Sequence, residues 1–429
     1  MLDRRHALAL AGASLAGASR ALPARAQAPV PLRFYNYNLA SAGIGREATL
    51  EMIASFSAAN PGVKVEGVAP PSGEVMARIQ ADVIAGNGPD LAQVIFADLA
   101  YVVENFGIRP LEEIVPADDL RAHIAGMFAN GVELGRLDGK TYGLAYVFST
   151  PVLFYNADLF RAAGLNPETP PATWEEVRAA AIAIHKATGK AGLVTGIFGP
   201  SAYDWLFQGV ILSAGGRVLS PDRRRLMFAE PEAIAAVRML RAIAEAGVMP
   251  NLKSDAQIET MSTGNAGMYL QTSAVQNALL RGAAGKFELR AAAMPAFAGK
   301  PVRPTNSGSA LVIMTKDPAR QRAAWALMKH LTSDYGYTII TSRIGYLPLR
   351  PGAIESEQHL APWIRANPIV RPNLAQLAHL APWVPHAGPS YRQIITTMMN
   401  AAEEGVFGKR DPEELLVAAQ RRAQALMPR

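Results

Sequence analysis

Residues 63–96 read VKVEGVAPPSGEVMARIQADVIAGNGPDLAQVIF: an alternating run, a helical run and a short apolar run, in that order. Val63, Val65 and Gly67 alternate with Lys64 and Glu66, the period of a strand with one covered face. A helix is expected over about 74–85. It ends at Gly86-Asn87-Gly88-Pro89-Asp90, where glycine accepts the reversed backbone and proline cannot continue the helix. Leu91–Phe96 is then a short buried strand bounded by Asp90 and Asp98. Upstream, Leu32–Tyr37 (LRFYNY) reads as a strand rich in aromatics. A helix over about 46–59 follows, with Leu50, Ile53 and Phe56 on one face and Asn60-Pro61-Gly62 as its stop. Strand, helix, strand, helix, strand implies parallel pairing with right-handed crossovers, an open α/β sheet. Ligands sit beyond the carboxyl ends of such strands, so Asn36-Tyr37-Asn38 and Phe96-Ala97-Asp98 are the first places to look.

A chain of 429 residues exceeds one ordinary core and implies two domains or one two-lobed body. Half of it is hydrophobic and 18% is charged, the balance of a folded protein. No apolar run of 18 residues occurs beyond the first 28, which excludes a multi-span membrane protein. Without cysteine there is no disulfide framework, thiolate metal site, iron–sulfur cluster or cysteine nucleophile. Residues 1–28 place Arg4-Arg5 before a short Ala/Gly/Leu run that ends at Ala26-Gln27-Ala28, a small-x-small cleavage site. This is a secretory signal of the twin-arginine kind and predicts a periplasmic protein. Leaving it out removes four arginines and Asp3, so the formal charge falls from +6 to about +3. The one dense basic run, Arg223-Arg224-Arg225, reads as a solvated turn, and no nucleic-acid role is expected.

Gly43-Ile44-Gly45-Arg46-Glu47-Ala48 matches a dinucleotide-binding pattern, with Glu66 at about the ribose distance. That chemistry needs the first glycine directly after the strand, and five residues intervene. A loop leading into a helix is the better account.

Residues 139–176 read GKTYGLAYVFSTPVLFYNADLFRAAGLNPETPPATWEE. Tyr142–Tyr146 and Val152–Tyr155 are two strands meeting at Phe148-Ser149-Thr150-Pro151. Asn156 starts a helix that Gly164 closes, and Thr173 with Glu176 forms a capping box for the next. The stretch resembles the extracellular solute-binding proteins of ABC importers, and within them the sn-glycerol-3-phosphate-binding group. Gly86–Asp90, Thr263–Met268, Gly308–Ile313, Gly345–Leu349 and Gly408–Pro412 extend the likeness in order over about residues 31–429.

The resemblance implies a type II, maltose-binding-protein-like fold of two α/β lobes joined by a hinge. The N-terminal lobe would be 29–148 plus 302–345, and the C-terminal lobe 149–301 plus 346–429. The chain would cross near Ser149–Phe154, Pro301–Gly308 and Gly345–Pro348. A monomer would close on a small solute, a glycerol phosphate, polyol or sugar, and present it to permease subunits, with no cofactor and no bond made or broken.

The implied ligand-binding residues are Tyr37, Phe96, Ser149, Trp205, Ser273, Gly308, Tyr346, His386 and Arg392. Ser149 and Ser273, the latter beside Thr272, offer hydroxyls. Tyr346 is aimed by its Gly345 and Pro348 neighbours. Gly308 permits close backbone approach. Trp205 offers a flat indole for a polyol or sugar face. His386 or Arg392 would supply the cation expected in the C-terminal cleft segment Pro385–Arg392. Where the glycerol-phosphate binders carry a tyrosine and a glutamate, this chain offers Ser72-Gly73 and Phe96, and phenylalanine accepts no hydroxyl hydrogen.

The competing classes are a secreted enzyme and a sensory module on the same fold. His6, His123, His185, His330, His359, His379 and His386 show no metal-binding spacing, and no G-x-S-x-G elbow follows the signal segment. The strand-end loops show no cluster of tyrosines or carboxylates of the kind that would hold iron or a polyamine.

Overall fold

Val30–Tyr35 (β1), Val63–Val68 (β2) and Leu91–Ile95 (β3) pair in parallel, with β1 in the middle. The helices Ile44–Ala59 and Val75–Ile84 make the crossovers between them, as the sequence pattern predicts. The computed structural model describes residues 28–40, 44–198, 203–386 and 388–428. The signal-like segment up to Gln27 and the first glycine of the nucleotide-like pattern, Gly43, lie outside the described residues.

Two strand ends differ from the sequence reading, and both differences matter to the site. β1 stops at Tyr35 because the buried Asn36 side chain accepts from the Asn38 backbone N–H at 2.9 Å, turning Tyr37–Ala40 into a 3-10 helix. β3 stops at Ile95 because Phe96 already begins helix Phe96–Phe106, which puts Asp98 in its first turn.

Arg136–Leu137 (β4) and Lys140–Thr141 (β5) form a hairpin over Asp138-Gly139, both at positive φ as a two-residue turn requires. Gly143–Ser149 (β6) and Pro151–Asn156 (β7) replace the two slightly offset strands expected from the sequence. Both are buried along their whole length. Ala191–Thr195 (β8), Ala266–Thr272 (β9), Leu289–Ala293 (β10) and Ser307–Ile313 (β11) complete the set. They sort into two sheets, ordered β2-β1-β3-β11-β6 and β10-β7-β9-β8. This is the two-lobed α/β arrangement. Asn156 caps helix Ala157–Ala162, Gly164 follows at φ 72°, and the Thr173–Glu176 capping box is complete.

The chain leaves the first sheet at Ser149 and enters the second at Pro151, with Thr150 alone between them. It returns through residues 294–306, between β10 and β11. Gln376 ties both passages together. Its Nε2 donates to Thr150 Oγ1 at 3.0 Å and to the Pro151 carbonyl at 2.6 Å, while its Oε1 accepts from the Met294 N–H at 3.2 Å. Further on, the Leu347 N–H donates to the Phe148 carbonyl, and the Leu349 carbonyl accepts from the Phe128 N–H. The chain then ends in helices Tyr391–Phe407 and Pro412–Gln424, which pack on each other and on Pro231–Glu245.

His123 is held neutral beside the first sheet. Its Nε2 lies 2.8 Å from Thr332 Oγ1, which itself donates to the Met328 carbonyl, so the imidazole must be the donor. Its Nδ1 faces the Arg350 guanidinium at 3.1 Å. Burial, then the charges of Arg350 and Lys329, pull its pKa down to about 3. A depressed histidine stabilises above its unfolded pKa near 6.5, and that contribution is lost as pH falls from there toward 3. Lowering the pH from 7 to 5 should therefore cost the wild type about 2 kcal/mol more than His123→Gln. Denaturant melts at both pH values measure this, and equal pH dependence would remove His123 as the cause.

Candidate functional site

Tyr37 follows β1 and Asp98 follows β3, which are parallel neighbours, so both stand at one edge of the first sheet. The Tyr37 N–H donates to Gln93 Oε1 at 3.1 Å, and its hydroxyl donates to Ser309 Oγ at 3.2 Å. Burial, and then the adjacent Tyr346, keep the Tyr37 hydroxyl well above its ordinary pKa. Tyr346, beside it, is raised by burial too. Both phenols are therefore uncharged donors at neutral pH.

Ser149, Ser273 and Gly308 gather around the same crossing. Ser149 is fully buried, with Oγ 2.5 Å from Thr272 Oγ1. The Ser273 N–H donates to the Thr150 carbonyl, while its buried hydroxyl has no partner. A Cβ at Gly345, the residue before Tyr346, would lie 3.5 Å from the Ala274 carbonyl oxygen and 3.7 Å from that of Ser273. Gly308 has φ 118° and faces the β6 backbone; a Cβ there would lie 2.0 Å from the Val147 carbonyl oxygen. Its close approach is to a neighbouring strand.

The charged centre joins the two lobes. Asp98, from the first, has a fully buried carboxylate. It accepts from the Tyr391 hydroxyl and from Arg392 Nη2 at 3.1 and 3.2 Å, both carried by helix Tyr391–Phe407 of the other lobe. Arg392 Nε also donates to the Tyr391 hydroxyl at 2.9 Å. The guanidinium stands 5.8 Å from the Tyr203 ring centre and 5.7 Å from that of Tyr391, within cation–π range. Burial pushes the Asp98 carboxyl above the ordinary carboxylate range, and Arg392 and Tyr391 pull it part of the way back. Tyr203 is pushed up to about 12 by burial and by the charge of Asp98.

Of the two candidate cations, Arg392 bonds to Asp98 and His386 to Asp204. His386 is buried inside the second lobe, with Nε2 2.9 Å from Asp204 Oδ2. Asp204 also accepts from Trp383 Nε1 at 2.9 Å and from Gln208 Nε2 at 2.8 Å. That is a structural network. Trp205 opens helix Trp205–Ser213 and is largely buried, its carbonyl bonded to the Thr305 hydroxyl. Phe96 lines a pocket beside Trp383, apart from the tyrosine group.

Sequence reading missed the tyrosines around Arg392. Tyr203 and Tyr391 flank Arg392 although neither strand-end loop contains them, and Tyr101 stacks on Tyr391 with ring centres 5.7 Å apart. Their signal was adjacency alone: Tyr391 precedes Arg392, and Tyr203 stands two residues before Trp205. Among the described residues no three His, Asp or Glu side chains gather as metal ligands, and no helix is long and apolar enough to cross a membrane.

Residues 51–372 match the model of the bacterial extracellular solute-binding protein family. The chain is 24% identical over 448 aligned positions to the sn-glycerol-3-phosphate-binding periplasmic protein of Pectobacterium atrosepticum. That alignment covers 100% of this chain and 98% of the relative. Among solved structures, the cyclic alpha-maltosyl-1,6-maltose binding protein of Arthrobacter globiformis superposes with a TM-score of 0.80 at 22% identity, covering 93% of this chain and 99% of that one. The glycerophosphocholine complex of UgpB from Mycobacterium tuberculosis gives a TM-score of 0.79 at 21% identity, with 92% and 98% covered. At these identities the superpositions establish a shared fold.

Proposed function

We propose that this chain, which belongs to the bacterial extracellular solute-binding protein family, captures sn-glycerol-3-phosphate or a related glycerophosphodiester, polyol or sugar between its lobes. It then delivers the solute to the permease of an ABC importer. Residues 29–148 with 302–345 act as one lobe and 149–301 with 346–429 as the other, after export to the periplasm by the twin-arginine route.

The Asp98–Arg392 pair carries this reading, because its members come from opposite lobes and bond to each other. A solute that enters there must replace their mutual bonds with its own. A phosphate offers the guanidinium a bidentate acceptor, and hydroxyls offer the carboxylate donors. Such a solute touches both lobes at once, so its affinity is greatest for the closed form, and binding is closure. Sn-glycerol-3-phosphate-binding relatives and a glycerophosphocholine complex on the same fold support the phosphate-bearing choice. Tyr37 and Tyr346 supply further hydroxyl donors at the hinge side.

A thermal-shift screen against glycerol phosphates, glycerophosphodiesters, mono- and oligosaccharides and inorganic phosphate tests the proposal. A selective solute at 100 times its dissociation constant should stabilise by about 2.7 kcal/mol. Silence across the whole panel would remove the solute-binding reading. Tyr346→Phe should weaken the selected solute by about tenfold, with ligand-free stability nearly intact because the ring that packs on the core is kept and only its hydroxyl is removed. Ser149→Ala should act differently. Its hydroxyl is buried against Thr272, so ligand-free stability itself should fall by about 1 kcal/mol.

A further inference from the structure

Helix Asp334–Ile339 runs on into one widened turn, Ile340–Ile344, closed by the Gly345 N–H on the Ile340 carbonyl five residues back, at 3.1 Å. Such turns are rare and recur at functional sites. This one leaves a carbonyl unserved by its own segment. A further α-helical turn would give the Arg343 carbonyl the Leu347 N–H, and another wide turn the N–H of residue 348. Leu347 donates instead to the Phe148 carbonyl at 2.9 Å, and Pro348 has no N–H to give.

The missing donor comes from the other lobe. Asn277 Nδ2 donates to the Arg343 carbonyl at 3.0 Å. Asn277 stands in the first turn of helix Gln276–Ala283, just after the turn Ser273–Val275, and that helix packs on β10 of the second sheet. The widened turn belongs with the first sheet. It packs on helix Ile44–Ala59, and the Arg343 guanidinium pairs with Glu51 of that helix at 2.9 Å. The Arg343 side chain is thus held on its own lobe while its carbonyl is bonded across.

Tyr346 lies beside this bond. A Cβ at Gly345 would stand 3.6 Å from Asn277 Nδ2, and Leu347 on the other side is fixed to β6. Ser273, the second-lobe candidate for the solute, is four residues before Asn277. One amide therefore joins the segment that carries Tyr346 to the segment that carries Ser273.

We propose that Asn277 is a closure latch, the positioning residue that holds Tyr346 against the second lobe. It rests on the closing solute binder proposed above, and acts without touching the solute. When the lobes part, amide and carbonyl return to water, so the net gain is that of one neutral, part-exposed hydrogen bond, a factor of about five to ten. The partners differ from Asp98 and Arg392, so the latch is a separate contribution to the closed form. Its loss should speed release and leave encounter unchanged.

Asn277→Asp and Asn277→Leu test this, since neither can donate to the carbonyl. Aspartate in the first turn suits a helix N-terminus, so Asn277→Asp should unfold at the wild-type denaturant midpoint. Stopped-flow fluorescence with sn-glycerol-3-phosphate and with glycerophosphocholine should show release about five to ten times faster in both variants, at unchanged association rates. Unchanged release in either variant would overturn the latch. Faster release in Asn277→Asp alone would overturn it too, by marking charge repulsion as the cause. A wild type that binds neither probe fails the solute reading instead, and small-angle scattering of the ligand-free proteins then decides the latch. A larger radius of gyration in both variants supports it, and an equal one overturns it.

Discussion

Gly308→Ala is expected to lower folding stability by about 3–5 kcal/mol. Two costs coincide there. The residue holds φ 118°, which side-chain-bearing residues rarely adopt, and the new Cβ would meet the Val147 carbonyl oxygen at 2.0 Å and the Phe148 Cα at 2.8 Å. Both neighbours are backbone of β6, so no rotamer change relieves the contact. The β11–β6 ladder would have to part at its register shift between Ser309 and Ala310. Gly345 is the control. It sits at φ 104°, but the atoms nearest its missing Cβ are at 3.5 Å or beyond, so Gly345→Ala should cost only the conformational strain, about 1–3 kcal/mol. Denaturant midpoints at unchanged slope would rank the two. Equal midpoints would show that crowding at Gly308 is not the deciding term.

That same glycine shows what the sequence could and could not disclose. A glycine before an apolar strand reads as a place of close approach, and so it is. Which partner approaches is decided by β6, over 150 residues away in the chain, and no local pattern carries that. The parallel β2-β1-β3 core, its two crossover helices, the Asn156 cap and the Thr173 capping box were legible because each depends on neighbours within a few residues. The strand ends were less so. Asn36 ends β1 through its side chain and Phe96 starts a helix where an apolar run suggests more strand, both choices made by burial.

The cleft followed the same division. Asp98 is visible from sequence as a carboxylate beyond a parallel strand, and Arg392 as one of two cations in a short segment. Neither Asp98's partner nor the fate of His386 is visible there. His386 satisfies Asp204 in the interior, an arrangement that needs Gln208 and Trp383 as well. Tyr203 and Tyr391, from segments far apart in the chain, converge on Arg392 only in the folded protein.

Arg392→Gln should reduce affinity for a phosphate-bearing solute by about 30-fold or more, which corresponds to at least about 2 kcal/mol. The guanidinium pairs with the buried Asp98 carboxylate, and glutamine keeps its reach while removing charge and the bidentate fork. The loss has a second component in the ligand-free protein. With Arg392 gone, the Asp98 carboxylate is buried with only the Tyr391 hydroxyl to satisfy it, so the closed form is penalised before any solute arrives. Asp98→Asn removes that stranded charge. The double variant should therefore close more readily than Arg392→Gln alone and still bind the solute weakly. A double-mutant cycle read by calorimetry for affinity and by small-angle scattering for closure separates the two components. Additive effects on closure would mean that Asp98 and Arg392 act independently. Unchanged affinity in Arg392→Gln would move the solute away from this pair.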